Sequence, residues 1–458
     1  MKNENDFGEA GFHLVTSDLP REGGGMNVFV RWFAAMVLAL QAQLSFSATQ
    51  NSSAMLDPLA QDYVKLVLAL GVHDADAVDA YYGPAQWRTE AEQQKLPLEE
   101  IRARSEALRE RVRALDLADA EEIVRLRQSY LDHQLGAIVT RVDLLRGVAM
   151  RFDEESRRTY DAVAPQFDDE HFAAILRELD AAISGEGTLS ERVELFRKRF
   201  QIPAERVAAV FDAAIAEARK RTQRHIALPA GESFTVEYVT DKPWAAYNWY
   251  QGGYHSVIQV NVSQPITIDR AIDLACHEGY PGHHVYNALL EEKLLRERGW
   301  VEFSVYPLFS PQSLIAEGTA NYGIEVAFPG DEKLAFERDV LFPLAGFDPA
   351  SADEYARVFG LLERLTYASN EAARRLVDGE IDDAQAAVWL ERFSLKSPEL
   401  AARQVRFIRK YRSYVINYNH GLDLVRAYME RRTHGDDGER WRVFAELISS
   451  PRLPSGLE

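Results

Sequence analysis

Cysteine is almost missing: Cys276 is the one thiol in 458 residues. An intramolecular disulfide and a thiolate zinc cage are both excluded, so any metal must be held by histidine and carboxylate. Long apolar runs are missing too. An uncharged stretch separates Arg31 from Asp57, but its solid apolar core, Trp32 to Leu40, is shorter than the roughly 20 residues a bilayer span needs. Glycine (27) and proline (18) are too sparse for a fibrous or low-complexity chain, and 47% hydrophobic with 27% charged residues is a globular balance. Basic residues are outnumbered, 52 against 71, for a formal charge of −19. So negative a body repels phosphate backbones, which argues against nucleic acid as a partner.

The apolar core at 32–40 suits the h-region of a secretory signal, with Arg31 before it and the small residues Ser45, Ser47 and Ala48 after it. The expected organisation is therefore an N-terminal extension and signal at 1–48, the signal itself at 26–48, with cleavage after Ala48. Met26 reads as the native start, because the acidic stretch before it makes an odd n-region. No lipobox cysteine is present, so a soluble extracytoplasmic protein, periplasmic or secreted, with no stable membrane span follows.

From Asp57 to about Ala227 the sequence reads as successive amphipathic helices. Ile123, Leu126, Tyr130, Leu131 and Leu135 recur at helical spacing, and the charge run 102–113 reads as solvated helix faces. Breaks are expected at Tyr82-Gly83-Pro84, at Gly185-Glu186-Gly187 and at Ile202-Pro203. Near Pro229 the period changes. Residues 233–240, 245–250 and 256–262 are rich in Val, Ile, Thr, Tyr and Trp and read as three short strands of one sheet. Helical spacing then returns almost to the end. The chain divides into a helical region, 49–228, and a second region, 229–458, in which the chemistry lies.

That chemistry is concentrated in Ala275-Cys-His-Glu-Gly-Tyr-Pro-Gly-His-His-Val-Tyr286. Eleven histidines in the whole chain predict fewer than one in any eight positions, yet His277, His283 and His284 fall within eight. A zinc-peptidase helix carries His-Glu-x-x-His, which sets both imidazoles on one face with the Glu beside the metal as general base. Here the fifth position is Pro281, which cannot donate to the carbonyl of His277 and crowds it. The helix must break, Gly282 relieves the crowding, and the turn brings His283 or His284 back towards His277. A third ligand is expected downstream, in Leu314-Ile-Ala-Glu-Gly-Thr-Ala-Asn-Tyr-Gly-Ile-Glu325. Its small residues permit close helix approach. Glu317 and Asn321, four apart on one face, read as metal carboxylate and supporting group.

These two segments together resemble a bacterial zincin-like metallopeptidase family classed as a domain of unknown function (domain of unknown function 885). The resemblance rests on His-Glu-x-x-Pro-Gly-His-His followed by Ala-Glu-Gly-x-Ala-x-Tyr and covers most of 229–430. It implies a mainly α, Glu-zincin-like helical metallopeptidase with one small β-sheet next to the metal helix, a single Zn²⁺ and short peptide substrates. By this likeness His277 and Glu278 are the opening pair, Glu317 is the downstream ligand, and Gly282-His283 marks His283 as the second histidine ligand. His284 is then the runner-up or a transition-state donor. Gly253-Tyr-His-Ser-Val-Ile-Gln-Val-Asn261 resembles the family's glycine-rich turn and strand, which implies that Gly253, Tyr254, His255 and Asn261 line the cleft where an extended peptide would pair. Asn417-Tyr-Asn-His-Gly421 resembles a C-terminal element from which Tyr418 or His420 would donate to the oxyanion. Thr319 stands where the family has Trp, and Ile324 where it has Glu, which implies an altered substrate pocket. The expected function is zinc-dependent peptide hydrolysis with Glu278 as base. A catalytically silent metal-binding scaffold and a zinc hydrolase of another amide or ester are the alternatives.

Overall fold

Helices form where apolar residues recur at three and four. The computed structural model of the protein describes residues 53–242, 246–263 and 265–458, so the signal expected at 26–48 lies outside the described residues. The first half runs through α1 (Asp57–His73), α2 (Ala85–Gln94), α3 (Leu98–Arg113), α4 (Glu122–Leu145), α5 (Phe152–Tyr160), α6 (Asp169–Ala182), α7 (Leu189–Arg199) and α8 (Val207–Gln223). The breaks fall where glycine and proline put them. Pro84 leads into α2, and beyond Gly187 a reciprocal pair of hydrogen bonds between Thr188 and Glu191 caps α7. In the 102–113 run Arg104, Arg111 and Arg113 lie in solvent, and the partly exposed Arg102 and Arg109 pair with Asp143 and Asp132 of α4.

The period-two segments become strands. β2 (Ser233–Val239), β3 (Ala246–Gly252) and β4 (His255–Asn261) form one sheet in the order β2-β4-β3. β4 is its central strand, parallel to β2 and antiparallel to β3. Alternation buries Asn248, Tyr250, Ser256, Ile258 and Val260 on one face, against the histidine segment, and leaves Trp249 half exposed on the other. Gly252, Gly253 and Tyr254 all take positive φ in the tight β3–β4 turn, a conformation two glycines supply cheaply. A second sheet has no counterpart in the sequence reading: β1 (Val78–Tyr81) pairs antiparallel with β5 (Val305–Pro307).

After the sheet come α9 (Asp269–Leu274), α10 (His283–Leu290) and α11 (Pro311–Ala327). They are followed by α12 (Glu332–Phe336), α13 (Phe342–Ala345), α14 (Ala352–Glu363), α15 (Ala368–Val377), α16 (Asp383–Phe393), α17 (Pro398–Tyr411), α18 (Ile416–Thr433) and α19 (Asp437–Ile448). The small residues of α11 bring it against α18 as well as the histidine segment. A Cβ at Gly318 would stand 2.4 Å from the carbonyl oxygen of Gly421, and one at Gly323 would stand 3.3 Å from the Pro281 ring. Residues 53–458 pack as one unit, mainly helical, around a continuous apolar core. Arg127 and Glu302, both fully buried, form an ion pair, with the Trp300 ring against the guanidinium. No helix of the described residues is long and apolar enough to cross a membrane.

Candidate metal centre

The histidine segment starts as α9 and loosens at Ala275–Gly279 into a wider turn, where the Tyr280 N–H reaches back five residues to the Ala275 carbonyl. Such π-turns recur at functional sites. The Tyr280-Pro281 peptide is cis, and the Gly282 N–H donates to the Cys276 carbonyl at 2.8 Å. Position 282 admits only glycine. A Cβ there would lie 2.0 Å from the His277 carbonyl oxygen and 2.3 Å from that of Cys276. The chain then reverses, and α10 begins at His283. The break expected from Pro281 is present, and His283 is the histidine it returns: the His277 and His283 rings are perpendicular, with centroids 4.6 Å apart.

α11 supplies the third group. Glu317 Oε2 lies 3.5 Å from His277 Nε2 and 3.8 Å from His283 Nε2. One ligand atom from each residue falls within 4.8 Å of the others. Glu317 Oε1 accepts the Tyr414 hydroxyl at 3.0 Å, whereas Oε2 is buried without any hydrogen-bond donor. A carboxylate oxygen left so costs on the order of 1–3 kcal/mol, more when charged. The separations suit a cation, since four tetrahedral bonds of about 2.1 Å set ligand atoms about 3.4 Å apart. Donor set, spacing and the orphaned oxygen all fit zinc.

Electrostatics agree. Burial opposes the charge of Glu317, but the two imidazoles beside it hold its carboxyl well below the usual range. Burial likewise disfavours a charged His277, yet the Glu317 and Glu278 carboxylates push it up to about 9. Without a metal the pocket recruits a proton as its cation. Asn321 fixes which nitrogen is free: its Nδ2 donates to the Tyr418 carbonyl at 2.9 Å, so its Oδ1, 2.9 Å from His277 Nδ1, accepts from that ring. Nε2 is then the nitrogen that faces Glu317, protonated while the site is empty and free to offer its lone pair once that proton leaves.

The other expected residues divide. Glu278 is buried beside His277, its main-chain carbonyl accepting from Asn248 Nδ2 at 2.6 Å, and its carboxylate acts on His277, Tyr247 and Tyr418. The Tyr418 ring lies edge-on to Tyr414, partly open to solvent, with its phenol in the field of Glu317 and Glu278. His420 is not with it. Two residues on, it is turned about 200° around the helix, and the charge that acts on it is Asp423. His284, expected as alternative ligand or oxyanion donor, faces away from the cluster. Both of its ring nitrogens are taken, Nδ1 by Ser256 Oγ and Nε2 by Glu232 Oε2, each at 2.9 Å, and it is fully buried. Neighbours in a helix differ by about 100°, so two adjacent histidines cannot both face one ion.

The expected substrate strand also changes place. β4 has both edges paired, so it cannot accept a peptide; among the described residues β2 and β3 are the edge strands, and both pack on the histidine segment. Gly253 N–H donates to Glu291 at 3.1 Å, Tyr254 N–H to the Tyr250 hydroxyl at 3.2 Å, and Asn261 accepts from Ser263 and donates to the Lys242 carbonyl. These three build the turn and the strand end. His255 likewise holds Ser233. Asp79 on β1 was not foreseen. It accepts from the Tyr247 hydroxyl at 2.6 Å, and burial, with Glu317 and Glu278 nearby, pushes its carboxyl up to about 6 against that hydrogen bond and the attraction of His283. A lone Asp in a four-residue strand carries no motif by which to find it.

No family model matches the sequence, and no curated protein does. Among solved structures, the fold is similar to that of a protein classed as a lipoprotein from Colwellia psychrerythraea, with TM-score 0.51 and 14% identity over 81% of this chain and 70% of that one. Lower scores join it to a protein of unknown function, also classed as a lipoprotein, from Shewanella oneidensis (0.45; 11% identity; 81% and 75% of the two chains). An M32 carboxypeptidase from Deinococcus radiodurans R1 follows (0.43; 14% identity; 88% and 90%). The first of these is a likeness of fold.

Proposed function

We propose that the protein is a zinc-dependent hydrolase, most directly a peptidase that cleaves short peptides. The observation that carries this reading is the convergence of His277, His283 and Glu317, with an undonated carboxylate oxygen among them. These three would hold Zn²⁺. Bound there, zinc supplies hydroxide near neutral pH and polarises a carbonyl. Glu278 takes the proton of the attacking water and passes it to the leaving amine. Asn321 keeps His277 Nε2 directed at the cluster, and the Tyr418 phenol donates to the developing oxyanion. The β3 edge offers main-chain hydrogen bonds to an extended peptide. His284, His420 and Asn261 have no part in these steps.

A silent scaffold is the weaker reading. Structural zinc takes four protein ligands, whereas among the described residues three converge, and the adjacent Glu278 is of the residue type a base requires. The region 229–458 carries the ligands, and β1 of the region 49–228 contributes Asp79. The composition of residues 26–48 supports action outside the cytoplasm.

Glu278→Gln should keep one zinc per chain by elemental analysis and lose on the order of 10²–10⁴ in hydrolysis of a dipeptide and tripeptide library. Wild-type turnover in that variant overturns the mechanism. Stoichiometric zinc with no chelator-sensitive cleavage of any peptide favours the scaffold, and cleavage of model esters or amides alone redirects the substrate class.

A further inference from the structure

The two histidine ligands sit on either side of a bend, not on one helix. In a regular His-Glu-x-x-His helix the backbone hydrogen bonds fix the distance between the imidazoles. Here the ladder stops before Pro281, so something else must hold His283 in place.

The structure puts one side chain there. Glu232, at the entry to β2, is buried, and its Oε2 accepts two hydrogen bonds: from the Tyr280 hydroxyl at 2.7 Å and from His284 Nε2 at 2.9 Å. Tyr280 immediately precedes the Pro281-Gly282 bend, and His284 immediately follows His283. One oxygen therefore grips the bend on both sides. Its other oxygen accepts from Arg219 of α8, whose guanidinium also lies over the Tyr280 ring. The far nitrogen of His284 meets Ser256 of β4, and Phe234 of β2 packs edge-on to the His284 ring. Tyr280, His284 and Ser256 are almost wholly excluded from solvent, so water cannot replace the bonds that these three make, whereas the Arg219 pair lies at the surface.

We propose that Glu232 is a positioning residue for the metal centre: by holding Tyr280 and His284 on a single oxygen it fixes the bend that aims His283 at His277 and Glu317. The small sheet thereby does what a continuous helix does in the regular motif. It also accounts for the second histidine of the His283-His284 pair, which is a post for the bend and not a ligand. This inference rests on the zinc reading of the site.

Three variants test it. Glu232→Ala removes both bonds, Tyr280→Phe removes one with little change of shape, and Glu232→Gln keeps an oxygen that accepts both. Zinc affinity is read by competition with a chromophoric chelator, site geometry by the visible spectrum of the Co²⁺-loaded protein, and folding by thermal unfolding of the metal-free protein. Glu232→Ala should weaken zinc by about 10–100-fold and dim the tetrahedral cobalt bands. Tyr280→Phe should move both in the same direction by less, and Glu232→Gln, which keeps the acceptor for Tyr280 and His284 but loses the one for Arg219, should restore them in part. If Glu232→Ala fails to fold, Tyr280→Phe decides. Lower thermal stability in Glu232→Ala or Tyr280→Phe with unchanged zinc affinity and cobalt spectrum would overturn the proposal, since Glu232 would then merely support the core. A wild-type protein that takes up neither zinc nor cobalt overturns the metal reading itself and the positioning role with it. A wild type that binds both, with variants that bind equally well, sinks the positioning role alone.

Discussion

At the scale of single residues, two neighbouring histidines with the same side chain have opposite fates. His283 turns to the cluster, and His284 is locked between Ser256 and Glu232. His277 shows how strongly its surroundings demand a cation. Its folded pKa of about 9 lies above the ordinary value of 6.5. A raised pKa stabilises the metal-free fold below pH 6.5, and that contribution is lost as pH rises through 9. The metal must displace the same proton. Zinc affinity should therefore climb about tenfold per pH unit from near neutrality and level off towards pH 9, in parallel with the falling stability of the apo form. Chelator competition between pH 6 and 9.5 reads the first trend, and urea unfolding of apo protein reads the second. Affinity that is flat over this range would show that the imidazole is not protonated in the empty site.

At the scale of elements, α11 sets Glu317 by lying unusually close to α18. Glycine faces glycine there: a methyl group at 318 would stand 2.4 Å from the main-chain oxygen of residue 421, which cannot yield without moving a helix. Gly318→Ala should cost about 1–3 kcal/mol of stability and weaken zinc, because Glu317 is the preceding residue and moves with the backbone. Denaturant unfolding and a zinc titration would measure the two together, and an affinity equal to wild type would show that α11 can shift without carrying its carboxylate. The same element shows what a sequence discloses. Glu317, Asn321 and the small residues were legible because helical spacing places them on known faces, and the clustering of histidines beside Pro281 announced a bend. Which of the adjacent histidines the bend would return could not be read from spacing, since that depends on Glu232, some fifty residues upstream. β1 and β5 escaped notice because strands of four and three residues are too short to show a period. β4 was legible as a strand, but its central place depends on the order of the sheet, which no local pattern encodes.

At the scale of the molecule, the region before the sheet is a structural partner of the region that carries the histidine cluster and not a separate cover. β1 completes the sheet of β5 and brings Asp79 into the field of His283 and Glu317. Arg127 of α4 meets Glu302, just ahead of β5, with neither side chain exposed. Both oxygens of Glu302 are used by that guanidinium, which also reaches Asp57 at the start of α1. A buried pair of this kind adds little over a well-packed apolar pair, but removal of one partner leaves a charge with no water and no counter-ion, at a cost of about 3–5 kcal/mol. Arg127→Leu should be destabilised by that amount in urea unfolding at pH 7. The double variant Arg127→Leu, Glu302→Leu should recover most of it, because no unpaired charge then remains inside. If the single variant is as stable as the double, the buried carboxylate carries no such penalty and the pair does not hold the two regions together.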